Sequence, residues 1–143
     1  MAKAKNTTQA PADLDACSCA GRHLDKFIQP AVLAILAKEP QHGYAVVEQI
    51  KLMPMLEGQA PDSAGVYRLL SAMQERGLVQ SHWDTSGSGP AKKLFCLTDS
   101  GRECLARWLA TLDDYHHRLG QMLVALRGTA PGGSSPKKCK CRR

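Results

Sequence analysis

The sequence predicts a mostly α-helical fold with a small β wing, in which a winged helix-turn-helix continues into a long C-terminal helix. Three observations predict it. Three segments between residues 29 and 76 carry apolar residues at helical spacing. Two strand-like runs, 78–83 and 92–97, flank a polar, glycine-rich tip. Beyond them, leucines recur every seven residues as far as Leu126.

Proline residues bound the first two helices. Pro30 fits the first turn of a helix, where its missing N–H would have no partner, and Pro40 closes that helix. A second helix ends at Pro54 and is followed by a loop at 55–61. The apolar positions of the second helix are Tyr44, Val47 and Ile50.

The third helix has one apolar and one polar side. Asp62 or Ser63 caps its start, and Gly77 stands where a left-handed C-terminal cap is expected. Its inward-facing residues are Val66, Leu69, Leu70 and Met73. Its solvent-facing residues near the N-terminus are Ser63, Ala64, Tyr67 and Arg68. These are small, polar or basic, as a helix that enters a DNA major groove requires, and a guanidinium can bind a guanine edge or a phosphate.

The predicted hairpin tip at 84–90 is followed by Lys92 and Lys93. Lysines in this place suit contact with DNA phosphates, because a wing lies along the backbone or in the minor groove. Spacing alone leaves a second interpretation open, in which these residues are solvated charges on a small α+β domain.

Thr98 is the expected N-cap of the last helix, which runs from about Asp99 to Arg127. Two rows of residues follow its surface, namely Leu105, Leu112, Leu119 and Leu126, and, offset by four, Leu109, His116 and Leu123. Paired rows of this kind form the seam of a coiled coil, which predicts a homodimer. The alternative is an amphipathic helix that packs only on its own domain.

His116 is the one polar residue of this seam. It is either a solvated or hydrogen-bonded histidine, or one of a pair near the dimer axis that responds to pH or to a metal.

The composition is that of one globular domain. The chain has 143 residues, of which 43% are hydrophobic. Its longest nearly uncharged apolar run, 28–37, is too short for a membrane span, which needs about 20 residues. Because the N-terminal residues lack the apolar stretch of a secretory signal, we expect a cytoplasmic protein with no membrane contact.

The net charge of +6 is concentrated at one end of the chain. Residues 137–143 hold five Lys and Arg and no acid, whereas residues 21–136 hold 12 Lys and Arg against 11 Asp and Glu. Because the body of the chain is nearly neutral, DNA binding has to be argued from motifs rather than from net charge.

Four of the six cysteines form two Cys-x-Cys pairs, Cys17 with Cys19 and Cys139 with Cys141. Four thiolates suit Zn²⁺, another thiophilic metal or an iron–sulfur cluster. Reversible disulfides that sense oxidants are a second interpretation, and incidental cysteines on a tail that holds DNA phosphates are a third. The remaining two, Cys96 and Cys104, are expected to be small core residues.

The predicted organisation has four parts. Residues 1–22 form a flexible arm with the first cysteine pair, and residues 23–98 form the winged-helix domain. Residues 99–127 form the dimerisation helix, and residues 128–143 form a flexible linker with the basic cysteine tail.

Five further segments carry short motifs, namely His42-Gly43-Tyr44, Ser63 to Leu70, Glu75 to Val79, Gly89 to Lys93 and Leu97 to Gly101. Together they resemble the PadR family of bacterial transcription regulators. They are similar to the family's His-Gly-Tyr helix start, its Gly-x-Leu-Tyr-x-x-Leu recognition helix and its Leu-Thr-x-x-Gly entry to the last helix. Val66 stands where leucine is usual, and Arg68 stands where proline is common.

The resemblance implies a dimeric repressor that binds double-stranded DNA at an inverted repeat and is released by a small ligand or another signal. It adds His42, Gly43 and Tyr44 to the expected DNA-binding residues. We expect Gly43 to allow a tight turn into the second helix. We expect the Tyr67 hydroxyl to reach a phosphate while its ring packs on the domain.

The sequence therefore predicts a homodimeric regulator whose operator binding is controlled by a metal, an iron–sulfur cluster or thiol oxidation at the cysteine pairs. Two alternatives stay open, namely release by a small organic ligand with incidental cysteines, and a metal-binding interaction module that does not bind DNA. We do not expect an enzyme, because the acidic pair at 113–114 and the histidine pair at 116–117 lie on one exposed helix, where neighbouring side chains point apart.

Overall fold

The computed structural model describes Asp13, Asp15 and residues 24–129. Within them the chain forms four α-helices, three β-strands and two short 3₁₀ turns. In chain order these are the turn Leu24–Phe27, α1 (Ile28–Lys38), β1 (Gln41–His42), α2 (Gly43–Lys51), the turn Pro54–Leu56, α3 (Ser63–Glu75), β2 (Val79–Asp84), β3 (Lys92–Leu97) and α4 (Asp99–Arg127). The predicted winged helix-turn-helix with a long C-terminal helix is confirmed. None of these helices is both long and apolar enough to cross a membrane.

The core lies where the first three helices meet the inner face of the sheet. Its largest fully buried side chains are Val32, Leu33, Leu36, Val46, Ile50, Leu56, Val66, Leu70, Met73 and Val79. Seven of the 11 residues of α1 are buried, which explains why its sequence is apolar on nearly every side. α1 is therefore the central helix, and it contacts α2, α4 and β3.

Side-chain caps set where α3 and α4 begin, as expected from the sequence. The Asp62 carboxylate accepts a hydrogen bond of 2.8 Å from the backbone N–H of Gly65. The Thr98 hydroxyl accepts one of 3.0 Å from the N–H of Gly101. Gly77, which follows the C-cap residue Arg76 of α3, adopts a φ of +74°, which is the left-handed conformation predicted for it.

The three strands form an antiparallel sheet in the order β1-β3-β2. β2 and β3 pair from Val79 with Leu97 to Asp84 with Lys92, so they form the predicted wing. The short strand β1 was not predicted, because two residues are too few to show an alternating pattern. It pairs His42 with Leu94 and thereby fixes the start of α2 to the middle strand of the wing.

Several expectations are wrong in detail. Tyr44 does not face the core but is exposed, and Val46 takes its place inside. The expected loop at 55–61 begins within the 3₁₀ turn Pro54–Leu56, whose Leu56 is fully buried. Cys96 is half-buried beside His82 and is not part of the core, whereas Cys104 packs against it as expected.

Candidate nucleic-acid interface

The N-terminal part of α3 has a polar face that is exposed, because the helix packs on the core through its opposite side. Val66 and Leu70 are fully buried and hold the helix on the domain. The four predicted contact residues on the other side, Ser63, Ala64, Tyr67 and Arg68, are all exposed. The Arg68 guanidinium makes no hydrogen bond or ion pair with any described residue, so its donors are available to a ligand.

Tyr67 packs against Gly43 at the start of α2. A Cβ atom added to Gly43 would lie 2.3 Å from Cε1 of Tyr67 and 2.9 Å from its hydroxyl oxygen. The expected reason for this glycine, a tight turn, is wrong, because Gly43 does not have a positive φ. Glycine is required here because the Tyr67 ring occupies the space of a side chain, which fixes the ring on the domain and leaves it 42% exposed.

His42 joins the start of α2 to the wing. Its Nε2 lies 3.0 Å from Oδ2 of Asp84, the last residue of β2. The other carboxylate oxygen, Oδ1, accepts hydrogen bonds from the backbone N–H and the hydroxyl of Ser86 in the hairpin tip. The Ser86 hydroxyl, the Ser86 N–H and His42, in that order of effect, lower the pKa of Asp84 to about 2. Asp84 is therefore anionic at any physiological pH.

Both lysines of the wing lie over aromatic rings. The Lys92 ammonium is 5.3 Å from the centre of the Tyr44 ring, and that ring stacks on His42 at 5.5 Å. The Lys93 ammonium is 5.7 Å from the centre of the Phe95 ring. Such contacts position an ammonium while its donors remain in solvent.

The tripeptide His42-Gly43-Tyr44 therefore connects two basic surfaces. Gly43 contacts Tyr67 of α3, and its two neighbours contact Asp84 and Lys92 of the wing. The structure thus brings Tyr67 of α3, the tripeptide and Lys92 of β3 into one set of contacts, whereas Lys93 lies over Phe95 on the other face of the wing. A helix and a hairpin held in this way offer a guanidinium for base edges or phosphate and ammonium groups for phosphate.

The predicted seam residues of α4 have two environments. Leu105 and Leu112 are half-buried and line an apolar groove of about 300 Å³, together with Trp108, Leu109, Met53 and Met55. The groove lies between α1, the Pro54–Leu56 turn and α4.

The second half of α4 has no contacts with the domain that bury it. His116, Leu119, Leu123 and Leu126 are all exposed, as is every residue from 113 to 127. Because this half still carries its leucine rows, a single chain leaves an apolar surface uncovered.

The four candidate metal ligands, Cys17, Cys19, Cys139 and Cys141, lie outside the described residues. Among the residues that are described, no three His, Cys, Asp or Glu side chains come together as a metal site. His82 Nδ1 and Cys96 Sγ lie 4.0 Å apart on the wing, as a pair without a third such side chain.

A family model described as the transcriptional regulator PadR-like family matches residues 32–107. The chain belongs to this family. The match runs from the second turn of α1 to the first turns of α4 and so includes every candidate DNA-binding residue. The resemblance seen in the five sequence segments is confirmed. No curated protein matches the chain.

Solved structures with the same fold come from several organisms. One described as a transcriptional regulator of Thermoplasma acidophilum has 28% identity and a TM-score of 0.60, over 71% of this chain and 94% of the other. A PadR family regulator from Clostridium difficile has 21% identity and a TM-score of 0.61, over 68% and 98% of the two chains, and shows the shared fold alone. PadR of Bacillus subtilis, solved in complex with operator DNA, has 25% identity and a TM-score of 0.52, over 59% of this chain and 46% of its own.

Sequence reasoning missed Asp84 and Ser86 as part of the site. An Asp two residues before a Ser in a glycine-rich turn is a local signal for a hydrogen-bonded turn, which was available. The hydrogen bond between Asp84 and His42 could not be predicted, because these residues are 42 positions apart and meet only through the order of the strands.

Proposed function

We propose that this PadR-family chain is a homodimeric transcription regulator that binds double-stranded DNA at an inverted repeat and acts as a repressor. The observation that carries the proposal is the exposed N-terminal face of α3, held beside the wing by the contact of Tyr67 with Gly43. The relative from Bacillus subtilis supports it, since that protein was solved with operator DNA. We propose that the protein acts in the cytoplasm. No enzymatic activity is proposed, because the family is one of transcriptional regulators.

Each part of the face has a proposed role. Ser63 and Ala64 are small, so the start of α3 can approach the floor of the major groove. Arg68 donates to a guanine edge or to a phosphate, and Tyr67 donates its hydroxyl to a phosphate. Lys92 and Lys93 contact the backbone beside the groove, while His42, Gly43 and Tyr44 hold these groups in place.

The test is selection of duplexes from a random-sequence pool by the full-length protein, followed by fluorescence anisotropy with the selected duplex. We expect an inverted repeat whose half-sites lie about one helical turn apart, 10 to 10.5 base pairs. We expect Lys92→Ala to lower the salt dependence of binding by about one unit of slope, because one phosphate contact is lost. Recovery of only random sequences would contradict the proposal.

Dimerisation is proposed to bury the leucine rows of α4. The 29 residues of this helix span about 44 Å at 1.5 Å per residue, and its second half extends beyond the domain. The occupant we propose for the apolar groove and this half-helix is a second copy of the chain, since one copy carries both an apolar groove and an exposed row of leucines. A two-fold dimer also matches the symmetry of an inverted repeat.

The cysteine pairs are proposed as the effector site, through zinc or another thiophilic metal, an iron–sulfur cluster, or reversible disulfides. The proposal rests on the sequence pattern of Cys17, Cys19, Cys139 and Cys141. The experiment is metal analysis and visible absorption of protein purified without oxygen, compared with the Cys139→Ser/Cys141→Ser variant. Metal lost in the variant, together with a metal-dependent change in DNA affinity, supports metal control. If the protein has six free thiols and no metal, the next experiment is oxidation. Hydrogen peroxide should then change the DNA affinity of the native protein but not that of the cysteine variant.

A small organic effector is the second candidate, and the apolar lining of the groove favours it. It predicts that an aromatic ligand quenches the fluorescence of Trp108 and weakens DNA binding in the cysteine variant as well. An interaction module that does not bind DNA would instead leave intact dimers with no affinity for any selected duplex.

A further inference from the structure

One face of the wing sheet carries an unusual set of polar groups. Because β2 and β3 pair residue by residue, the side chains of Asp84, Lys92 and Leu94 point to the same face as His42, which pairs with Leu94. The opposite face carries Val79 and Phe95, which are buried in the core. The polar face is therefore the outer surface of the sheet, away from the core.

The bond between His42 and Asp84 crosses the middle strand of this sheet. The strand order β1-β3-β2 puts β3 between the two residues, yet their side chains meet at 3.0 Å. Both oxygens of the carboxylate are used, since Oδ1 holds the Ser86 N–H and hydroxyl and Oδ2 holds the imidazole. One carboxylate thus ties the hairpin tip to the start of α2.

We propose that His42 and Asp84 form a proton-dependent latch that positions the wing on DNA, so that duplex binding is coupled to protonation of His42. The inference rests on the proposed function, and it deepens it by naming a positioning residue. A cleft of about 160 Å³ between His42, Lys92 and the glycine-rich tip lies beside the latch. A phosphate in this cleft would face the imidazole and the ammonium together.

The charged groups around His42 set the sign of the effect. Asp84 faces it from β2, Lys92 from β3 and Tyr44 from α2. His82 and Cys96 lie further along the same face. Asp84 and Lys92 balance each other, so a neutral His42 leaves this group without net charge and a protonated one makes it cationic beside DNA.

The carboxylate keeps its charge while the imidazole changes. Since the pKa of Asp84 is lowered to about 2, chiefly by its hydrogen bonds with Ser86, Asp84 is anionic throughout the range in which histidines titrate, about pH 5 to 8. Protonation of the imidazole turns a neutral hydrogen bond into an ion pair with Asp84 and adds a positive charge beside the phosphates.

The first arm of the test measures affinity for the duplex selected by the native protein, at about pH 6 and about pH 8 and constant ionic strength. We expect about tenfold tighter binding at the lower pH, from roughly a threefold effect in each of two subunits. His42→Gln should gain little affinity at the lower pH, because its amide keeps a hydrogen bond to Asp84 but takes up no proton. His82→Gln is the matched control, because it removes a histidine of the same face without touching the latch.

Two results of this arm would overturn the latch. One is a native affinity ratio that His42→Gln leaves unchanged, and the other is an equal loss in His42→Gln at both pH values, which indicates a purely structural role. Asp84→Asn should retain only part of the pH dependence, because the protonated ring then has phosphate as its sole anionic partner.

The second arm uses the free protein and needs no DNA. Amide hydrogen exchange at about pH 6 should show less protection of the β2–β3 hairpin in His42→Gln than in the native chain or in His82→Gln. Equal protection in all three would refute the latch even if DNA binding stands. Reduced protection in a protein that selects no duplex would instead refute the proposed function and, with it, the link between the latch and DNA.

Discussion

Replacement of Gly43 by alanine tests the contact between Gly43 of α2 and Tyr67 of α3 in the candidate DNA-binding site. The added Cβ would lie 2.3 Å from Cε1 of Tyr67 and 2.9 Å from both its Cζ and its hydroxyl oxygen. Carbon atoms in contact prefer about 3.5 to 4.0 Å, so the edge of the ring has to retreat by about 1.2 Å or more. Because the ring is 42% exposed, it can swing toward solvent, and the backbone of α2 need not move.

The expected cost follows from two opposing effects. Forced repacking around an added methyl group costs about 1 to 3 kcal/mol, and an outlet to solvent places this site in the lower half of that range. Alanine recovers part of the loss, since it is favoured over glycine in helices by up to about 1 kcal/mol, less in the first turn. We therefore expect Gly43→Ala to lower the free energy of unfolding by about 1 kcal/mol.

The effect on DNA binding should be larger than this small loss of stability suggests. A displaced Tyr67 hydroxyl would lose the phosphate contact proposed for it, and a hydrogen bond to a charged group is worth about 1.5 to 3 kcal/mol. Affinity for the selected duplex should fall at least tenfold, while the dimer persists.

A double-mutant cycle measures the contact itself. Urea unfolding at one fixed protein concentration gives the free energy of unfolding for the native chain, Gly43→Ala, Tyr67→Ala and the double variant. With the ring removed, Gly43→Ala should be neutral or slightly stabilising, so the coupling between the two sites should reach about 1 to 2 kcal/mol. Additive losses would refute the reasoning. Gly120→Ala serves as the control, because nothing lies within 4 Å of its added Cβ, and it should stabilise the chain.

Three further predictions concern the exposed face of α3, the dimer and the core. Arg68→Ala should weaken binding of the selected duplex by about tenfold or more and leave the dimer intact by sedimentation, whereas Arg107→Ala, which removes the same charge from α4, should not; equal affinities would remove Arg68 from the site. Leu119→Asp should yield monomers in sedimentation velocity at concentrations where Gln121→Asp stays dimeric, and a surviving dimer would contradict the seam. Gly101→Ala should lower the free energy of unfolding by more than about 2 kcal/mol, because its Cβ would meet the Leu78 backbone oxygen; a native-like urea midpoint would contradict this.

The elements of the fold follow from local patterns in the sequence. The bounds of α4, the caps Asp62 and Thr98 and the left-handed Gly77 are all visible in the sequence, because each depends on residues a few positions apart. Tyr44 shows where such patterns fail. The apolar ring of Tyr44 predicts a core position, but the ring lies under Lys92 and is exposed. The helical spacing of Tyr44 alone does not distinguish these two places.

The functional residues divide in the same way. The sequence singled out Tyr67, Arg68 and Lys92 because residue type and position in a helix or a hairpin suffice to predict exposed polar side chains. It also named Gly43, but for the wrong reason, since the ring that requires this glycine is 24 positions away and arrives from another helix.

Side-chain periodicity and short motifs are local properties, so the four helices, the wing, the family and the exposed polar face of α3 could all be predicted from the residues alone. Contacts between distant groups are visible in the folded chain alone, such as His42 with Asp84 over the middle strand, or Leu105 with the groove beside α1. These contacts depend on strand order and helix packing, which the whole core sets together. The hydrogen bond between His42 and Asp84 joins residues 42 positions apart, and no local pattern in the sequence predicts it.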